Sequence, residues 1–254
     1  MNDLFRKLTI LADGEPLIGF RHARLSGVDT IGLYPMPFTL RIWNLADSDY
    51  WRLVATKELS VLHEESVLAS GTISDLCRSV VSEGVVTEIV FSAGLQLWEA
   101  PVSLSVESGV SVSETVQRIL EASGTGIKLI SFLGEDPVRC RGQAFSGRAA
   151  ECVETALSAA KVRCCLTPSG LCVIPASGLT VSMELTEKDL IDAPSRAGNG
   201  LRILRTRVTG WLLGKMVTVN WKGESFSGLV TERSIDADNM EGNWQAELII
   251  EVKT

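Results

Sequence analysis

Histidine is almost missing from this chain: His22 and His63 are the only two among 254 residues. The shortage narrows the chemistry, because a zinc centre or an acid–base dyad built on imidazole has little to draw on. Cysteine occurs six times, as Cys77, Cys140, Cys152, Cys164, Cys165 and Cys172, but never as a C-x-x-C pair. A structural zinc site is therefore poorly supplied, and buried reduced thiols are the expected state. Positive charge is also short. The 24 Lys and Arg stand against 31 Asp and Glu, a net charge of -7, and the basic residues are scattered. Gripping duplex DNA needs clustered cations to neutralise phosphates, so a duplex-binding function is disfavoured. No run approaches the ~20 apolar residues that span a bilayer, and Met1–Lys7 lacks the apolar stretch of a signal peptide. The chain is expected to carry no membrane anchor and to be made in a reducing cytoplasm.

What is present is a hydrophobic content of 45%, enough to bury a real core in one large or two modest domains. From Leu8 to Val106 the apolar or alternating runs fall near 8–12, 17–25, 37–43, 58–62, 66–70, 86–91 and 95–106, and turn residues punctuate them. Ala12-Asp13-Gly14-Glu15-Pro16 separates the first two, and Ser92-Ala93-Gly94 separates Ile89–Phe91 from Leu95–Trp98, so hairpins are expected. Such a series of short strands predicts a barrel or sandwich. One stretch breaks the pattern: Tyr50, Leu53 and Val54 follow Asp47-Ser48-Asp49 at helical spacing, which predicts a short helix that plugs or flanks the first barrel.

The period then changes from two to 3.6. Ser111 with Glu114 forms a capping-box pattern, Val112, Val116, Ile119 and Leu120 make a stripe, and Ser123-Gly124 supplies a stop. A second helix is predicted from about 147 to 160, with Val153, Ala156, Leu157 and Ala160 on one face and Ser146 as its cap. Glu114, Val116, Leu120 and Ala122 of the first helix match Glu151, Val153, Leu157 and Ala159 of the second. Each is followed by strand signals, Ile127–Ile130 after the first and Val162–Leu166 after the second, the latter turning at Pro168-Ser169-Gly170 into Leu171–Ile174. Two small helix–strand units inserted between β regions are expected. In the last part, Gly200–Thr206, Val217–Trp221 and Gly242–Lys253 are among four predicted strands. Val217, Val219 and Trp221 share one face, Leu248, Ile250 and Val252 share another, and turns at Lys222-Gly223-Glu224 and Glu241-Gly242-Asn243 predict antiparallel hairpins.

Candidate chemistry is thin. Asp236, Asp238 and Glu247 occupy positions 1, 3 and 12 of a calcium-loop pattern, but Met240 has no side-chain oxygen and Glu241 stands where the turn wants Gly, so a solvated hairpin loop is expected. Asp47 and Asp49 suit a helix start better than a metal site. His22 and His63 lie in predicted strands, far in sequence from the cysteines, and 210–216 lacks the spacing and Ser/Thr of a P-loop. No catalytic residue, metal or cofactor is implied. Trp43, Trp51, Trp98, Trp211, Trp221 and Trp244 leave two readings open, a core or subunit-interface role and a carbohydrate- or receptor-binding β module using exposed tryptophans; a hydrolase with an unrecognised site is a third reading of the chain as a whole.

The order of these parts resembles the baseplate hub proteins of tailed bacteriophages and phage-derived contractile tail machines. The residues that carry the resemblance are Ala69–Ile73, Val102–Val106 leading into the helix at Ser113, Arg141–Gly147, Asp189–Pro194, Asn199–Leu201, Gly214–Val219 and Gly242–Leu248. Each motif alone is loose; their order is the signal. The resemblance implies a mainly β fold with inserted α+β, in which two tail-tube-like β-barrel domains, 1–107 and 185–254, are separated by helix–strand units at 108–184. It implies a homotrimeric symmetry adaptor that joins a hexameric tail tube to a trimeric central spike and lines the DNA channel. Its partners would be the tail tube protein, the spike, the tape-measure protein and other baseplate proteins, with DNA passing through the lumen without specific binding. Its place would be the virion tail baseplate, assembled in the bacterial host cytoplasm. No fused lysozyme or peptidase segment is seen, so no wall-degrading role is implied. Arg202, Arg205 and Arg207, beside Trp211 and Trp221, are the candidate subunit-interface residues, because Arg and aromatic side chains are favoured at such surfaces.

Overall fold

The structure is a computed structural model that describes residues 6–176, 182–198, 200–207, 210, 212–240 and 242–252. Trp211, Glu241 and Lys253, which entered the reading of the sequence, lie outside the described residues. The chain opens with β1 (Leu8–Ala12), β2 (Glu15–Pro16), β3 (His22–Thr30), β4 (Pro37–Trp43), α1 (Asp47–Ala55), β5 (Glu58–His63), β6 (Ser66–Val81), β7 (Gly84–Ser92), α2 (Leu95–Glu99) and β8 (Pro101–Val106). It continues through α3 (Val112–Ser123), β9 (Leu129–Phe132), β10 (Gln143–Arg148), α4 (Ala149–Leu157), β11 (Val162–Thr167) and β12 (Gly170–Pro175). The last part is β13 (Ser182–Thr186), β14 (Ser195–Arg196), β15 (Leu201–Arg207), β16 (Met216–Trp221), β17 (Glu224–Asp238) and β18 (Trp244–Val252). The fold is mostly β with inserted α+β elements, as expected.

Period-two alternation places the side chains as predicted. Leu8, Ile10 and Ala12 of β1 and Phe38, Leu40 and Ile42 of β4 are buried, with less buried neighbours between them. In α1, Leu53 enters the first core and Tyr50 packs beside it, while Val54 stays 53% exposed and is not part of the inner stripe. The predicted stripe of α3 is buried in full, Ser111 Oγ accepts from the Glu114 N–H at 3.2 Å, and the helix stops at Gly124. Only half of the capping box forms, since the Glu114 carboxylate turns to Arg118 at 2.7 Å instead of the cap.

Several boundaries differ from the sequence reading for identifiable reasons. The expected strand at 95–106 is half helix: Leu97 is buried as part of α2, whose cap N–H of Ala100 bonds to Gln96 O, and Pro101 then forces the chain into extended β8. Ser146 does not cap α4. It sits in β10, paired opposite Ser103 of β8, so the chain stays extended to Arg148, and the Ala149 N–H bonds to Ala100 O at 2.9 Å. The strand expected at 17–25 starts only at His22, and β6 runs to Val81 where a strand at 66–70 was expected. The cysteines are all free, but only Cys152, Cys164 and Cys165 are buried; Cys172 is half-buried, and Cys77 and Cys140 are exposed.

One sheet of 13 strands joins the β regions, running β14-β15-β18-β17-β3-β4-β7-β6-β5-β1-β2, with β16 on β17 and β13 on β16. The ladder is an open path. It curves around two main cores: Leu25, Phe38, Leu40 and Phe91 in the first, and Leu204, Val217, Val219, Leu248 and Ile250 in the second. A third core fills the inserted part, where α3 and α4 pack on the β10–β8 pair and the sheet β11-β12-β9, with Val116, Ile119, Val153 and Val173 fully buried.

The two β regions repeat one plan. In the first, β5 and β6 form a hairpin through two residues, β6 then pairs with β7, β7 with β4, and β4 with β3. In the second, β16 and β17 form the two-residue hairpin, β17 pairs with β18, β18 with β15, and β15 with β14. Lys222 and Gly223 at that turn have φ of 47° and 86°, the pair of positive values a tight type I′ hairpin requires. One strand belongs to both regions. The first half of β17 pairs with β16, and its second half, Glu232–Asp238, pairs with β3 and adds Ile235 and Ala237 to the first core.

Candidate assembly surface

The sequence-derived interface residues lie on β15, at the end of β16, and in the segment between them. Leu204 and Thr206 point into the second core, which sends Arg205 and Arg207 outward into solvent. Arg205 pairs across the strands with Glu247 at 3.0 Å and reaches Asp192 at 3.4 Å. The hydrogen bond to Glu247, with the charge of Asp192 behind it, holds the guanidinium above its ordinary value. Arg202 shares the parity of Leu204, is half-buried, and lies 4.7 Å over the Phe226 ring. Trp221 covers the rim of the second core, with Lys222 Nζ 5.5 Å from its ring. The arginines thus divide between two faces instead of forming one patch.

The strongest buried polar contact stands where the two β regions meet. Arg233 of β17 is 1% exposed and makes a two-point pair with Asp29 of β3, Nε to Oδ1 at 3.1 Å and Nη2 to Oδ2 at 2.8 Å, while Nη2 also donates to Leu68 O at 2.7 Å. Burial pushes the Asp29 carboxyl up, against the opposing pull of Arg233. Beyond it, Asp236 accepts from Arg24 at 2.8 and 2.9 Å and from Asn243 at 2.9 Å. Burial alone would raise Asp236, but these hydrogen bonds outweigh it and hold the carboxyl below its ordinary value. Asp238 faces His22 at 3.1 Å. The acids that suggested a calcium loop are therefore engaged with protein partners, Asp236 and Asp238 at the junction and Glu247 with Arg205. Cys164 and Cys165 are pushed up to about 12 by burial, which keeps them as thiols rather than nucleophilic thiolates.

Among the described residues the tryptophans are dispersed: Trp43, Trp98, Trp221 and Trp244 are half-buried, and Trp51 is exposed. His22 stacks on Trp43 at 3.9 Å beside a cleft of about 980 Å³. Trp98 donates its indole N–H to Leu33 O, and Trp244 packs against the first core under His63 and Arg6. Trp51 on α1 is 66% exposed. A sugar-binding platform needs aromatic faces open side by side, and neither Trp43 nor Trp244 offers a free ring next to another.

The features that sequence reasoning missed are strand edges. Past Thr72, where β5 ends its pairing, the stretch Asp75–Val81 of β6 pairs only with β7, and among the described residues no strand covers its other side. Val80 there is 84% exposed. At the far end of the sheet path, β14 pairs with β15 and has no strand outside it among the described residues. The only sequence signal for the first edge was the alternation of Leu76, Arg78 and Val80 beyond Gly71, which the glycine masked.

By sequence the chain matches no family model and no curated protein. Its fold does match solved structures. The tail protein from Neisseria meningitidis MC58 aligns with a TM-score of 0.70 at 10% identity, covering 96% of this chain and 95% of that one. The 43 kDa tail protein of prophage MuSo2 from Shewanella oneidensis aligns at 0.72 and 11% identity, covering 96% of both chains. An E. coli type VI secretion system component, described as structurally similar to bacteriophage T4 tail proteins, aligns at 0.66 and 12% identity, covering 98% of this chain and 77% of that one. The architecture of this chain is a phage-tail fold. The tail-protein resemblance expected from the order of its sequence parts holds at the level of the fold.

Proposed function

We propose that this chain is a structural, non-enzymatic baseplate hub. It forms a homotrimer that adapts the hexameric tail tube to the trimeric central spike and lines the channel through which DNA passes. The observation that carries this reading is the repeated strand plan: the order that begins at β3 and ends at β5 recurs from β14 to β16 within one chain. A chain that supplies two like units converts three copies into six, which is what a junction between sixfold and threefold objects needs. The units are the tube-like domains at 1–107 and 185–254, with 108–184 as the inserted helix–strand part. The net charge of -7 suits a lumen that DNA crosses without sticking. Arg205, Arg207 and Trp221 are surface or rim residues available to neighbours such as the tube, spike and tape-measure proteins. A non-enzymatic role is supported by where the perturbed groups sit: Asp29 is sealed in the junction with Arg233, and the buried cysteines are held as thiols. Assembly takes place in the host cytoplasm, and the finished hub lies in the virion baseplate.

Light scattering across a concentration series tests the reading. A hub gives a particle of three times the 27.5 kDa chain. A strict monomer at high concentration, alone and with tube and spike proteins added, would falsify it.

A further inference from the structure

The junction inside the chain describes an open position outside it. On β17 a bulge lies between Val230 and Glu232, and the stretch that follows, Glu232–Asp238, pairs with β18 on one side and β3 on the other. On β6 a bulge lies between Ile73 and Asp75, and the stretch that follows, Asp75–Val81, pairs with β7 on one side and with nothing on the other among the described residues. The two stretches have the same length, follow the same two-residue hairpin, and occupy the same place in the repeated plan. The edge that β3 fills on β17 is vacant on β6. Val80 and Val81 are 84% and 40% exposed on it, and Cys77 is exposed at its middle. An uncovered edge of this length, without Pro or Lys and with the charge of Arg78 turned to Asp47 at 2.7 Å, is a template for another strand.

The repeat also names the strand that fits. In the first unit β3 lies outside β4, and its outer edge takes β17. In the second unit β14 lies outside β15 in the same antiparallel sense, and among the described residues no strand covers its outer edge. We infer that the segment around β14 (Ser195–Arg196) of a second copy of this chain pairs antiparallel with the Asp75–Val81 edge of β6, so that the sheet passes from copy to copy as it passes from unit to unit. The contact is head-to-tail: each copy offers one vacant edge and one strand to fill it, which closes into a ring when the rotation per copy permits. The bonding is mainly backbone, with burial of Val80 and Val81 adding apolar gain. This inference rests on the trimeric hub reading and adds the edges through which the copies join.

Site-directed cross-linking tests it. In a chain carrying Cys140→Ser and Ser195→Cys, with native Cys77 retained, a short bismaleimide is expected to join copies into covalent species of up to three chains. The product is expected to vanish when Cys77→Ser is added or Ser195→Cys is omitted. In parallel, Val80→Lys is expected to abolish the trimer in light scattering while leaving circular dichroism and melting unchanged, because Val80 is already in solvent in the single chain. A trimer that survives Val80→Lys and yields no product between positions 77 and 195 overturns this edge pairing and leaves the hub reading standing. Cross-linking of Cys77 to Cys77 without Ser195→Cys overturns it in favour of a twofold contact. A wild-type chain that never leaves the monomer overturns both.

Discussion

Asp29 and Arg233 are buried together at the junction, and neither can leave without exposing the other's charge to an apolar setting. Asp29→Ala takes the two-point carboxylate away from a guanidinium that is 1% exposed, and the expected loss is about 3–5 kcal/mol, read as a lower urea midpoint. Replacing both, as Asp29→Leu with Arg233→Met, is expected to restore most of that loss, since the cost lies in the unpaired charge rather than in the absence of the pair. The pair also distinguishes the two edges of the repeat. Arg233 is the second residue after the bulge on β17, and the residue in that place on β6 is Leu76. Were β3 to pair with β6, Asp29 would face Leu76 and lie buried without a cation. The ion pair thus favours β17 as the mate of β3 and leaves β6 for another strand.

At the scale of elements, β6 illustrates how a glycine can mislead. Gly71 reads as a strand end, yet it sits inside β6 because the backbone of β7 passes against it: an added Cβ would lie 2.3 Å from Ser92 C and O. Gly71→Ala is expected to destabilise by about 1–3 kcal/mol, seen as a drop in melting temperature of several degrees, because the atoms the new Cβ meets are the Ser92–Ala93 backbone rather than a side chain that could yield. The same lesson applies to α2 and β10. Leu95–Trp98 has the alternation of a strand, and Ser146 has the chemistry of a cap, but packing of Leu97 into the inserted core and zippering of β10 onto β8 override both local preferences. By contrast the cap, stripe and stop of α3 were legible, since they lie within one short stretch of chain, and only the return arm of the capping box was not.

For the whole molecule, β17 is the strand on which cooperativity depends. It is paired on both sides along most of its length and contributes to both main cores, so hydrogen exchange is expected to be slowest at Gly228–Ala237. The Asp75–Val81 stretch of β6, with one side open, is expected to exchange faster in the free chain and to gain protection on assembly. Uniform protection of the two stretches in the monomer, measured by mass spectrometry, would contradict the asymmetry described above. The repeated plan was not visible in the sequence, because β5–β7 and β16–β18 share strand order and length but little residue identity; what repeats is backbone pairing, which many sequences satisfy.

Alternation and capping are local, so the sequence by itself determined that this chain is mainly β, that helices α1, α3 and α4 interrupt it, and that β16–β18 form hairpins with one apolar face. Composition excluded what its missing residues would have had to supply. The tertiary structure decided what depends on partners distant in sequence. It showed that β17 leaves its own unit to pair with β3, that Arg233 finds Asp29, that Trp43 and Trp244 are half-buried, and that the Asp75–Val81 stretch of β6 has a strand on one side alone among the described residues. Strand pairing is made by backbone groups that every residue carries, so a sequence records which segments extend far more clearly than which edges meet.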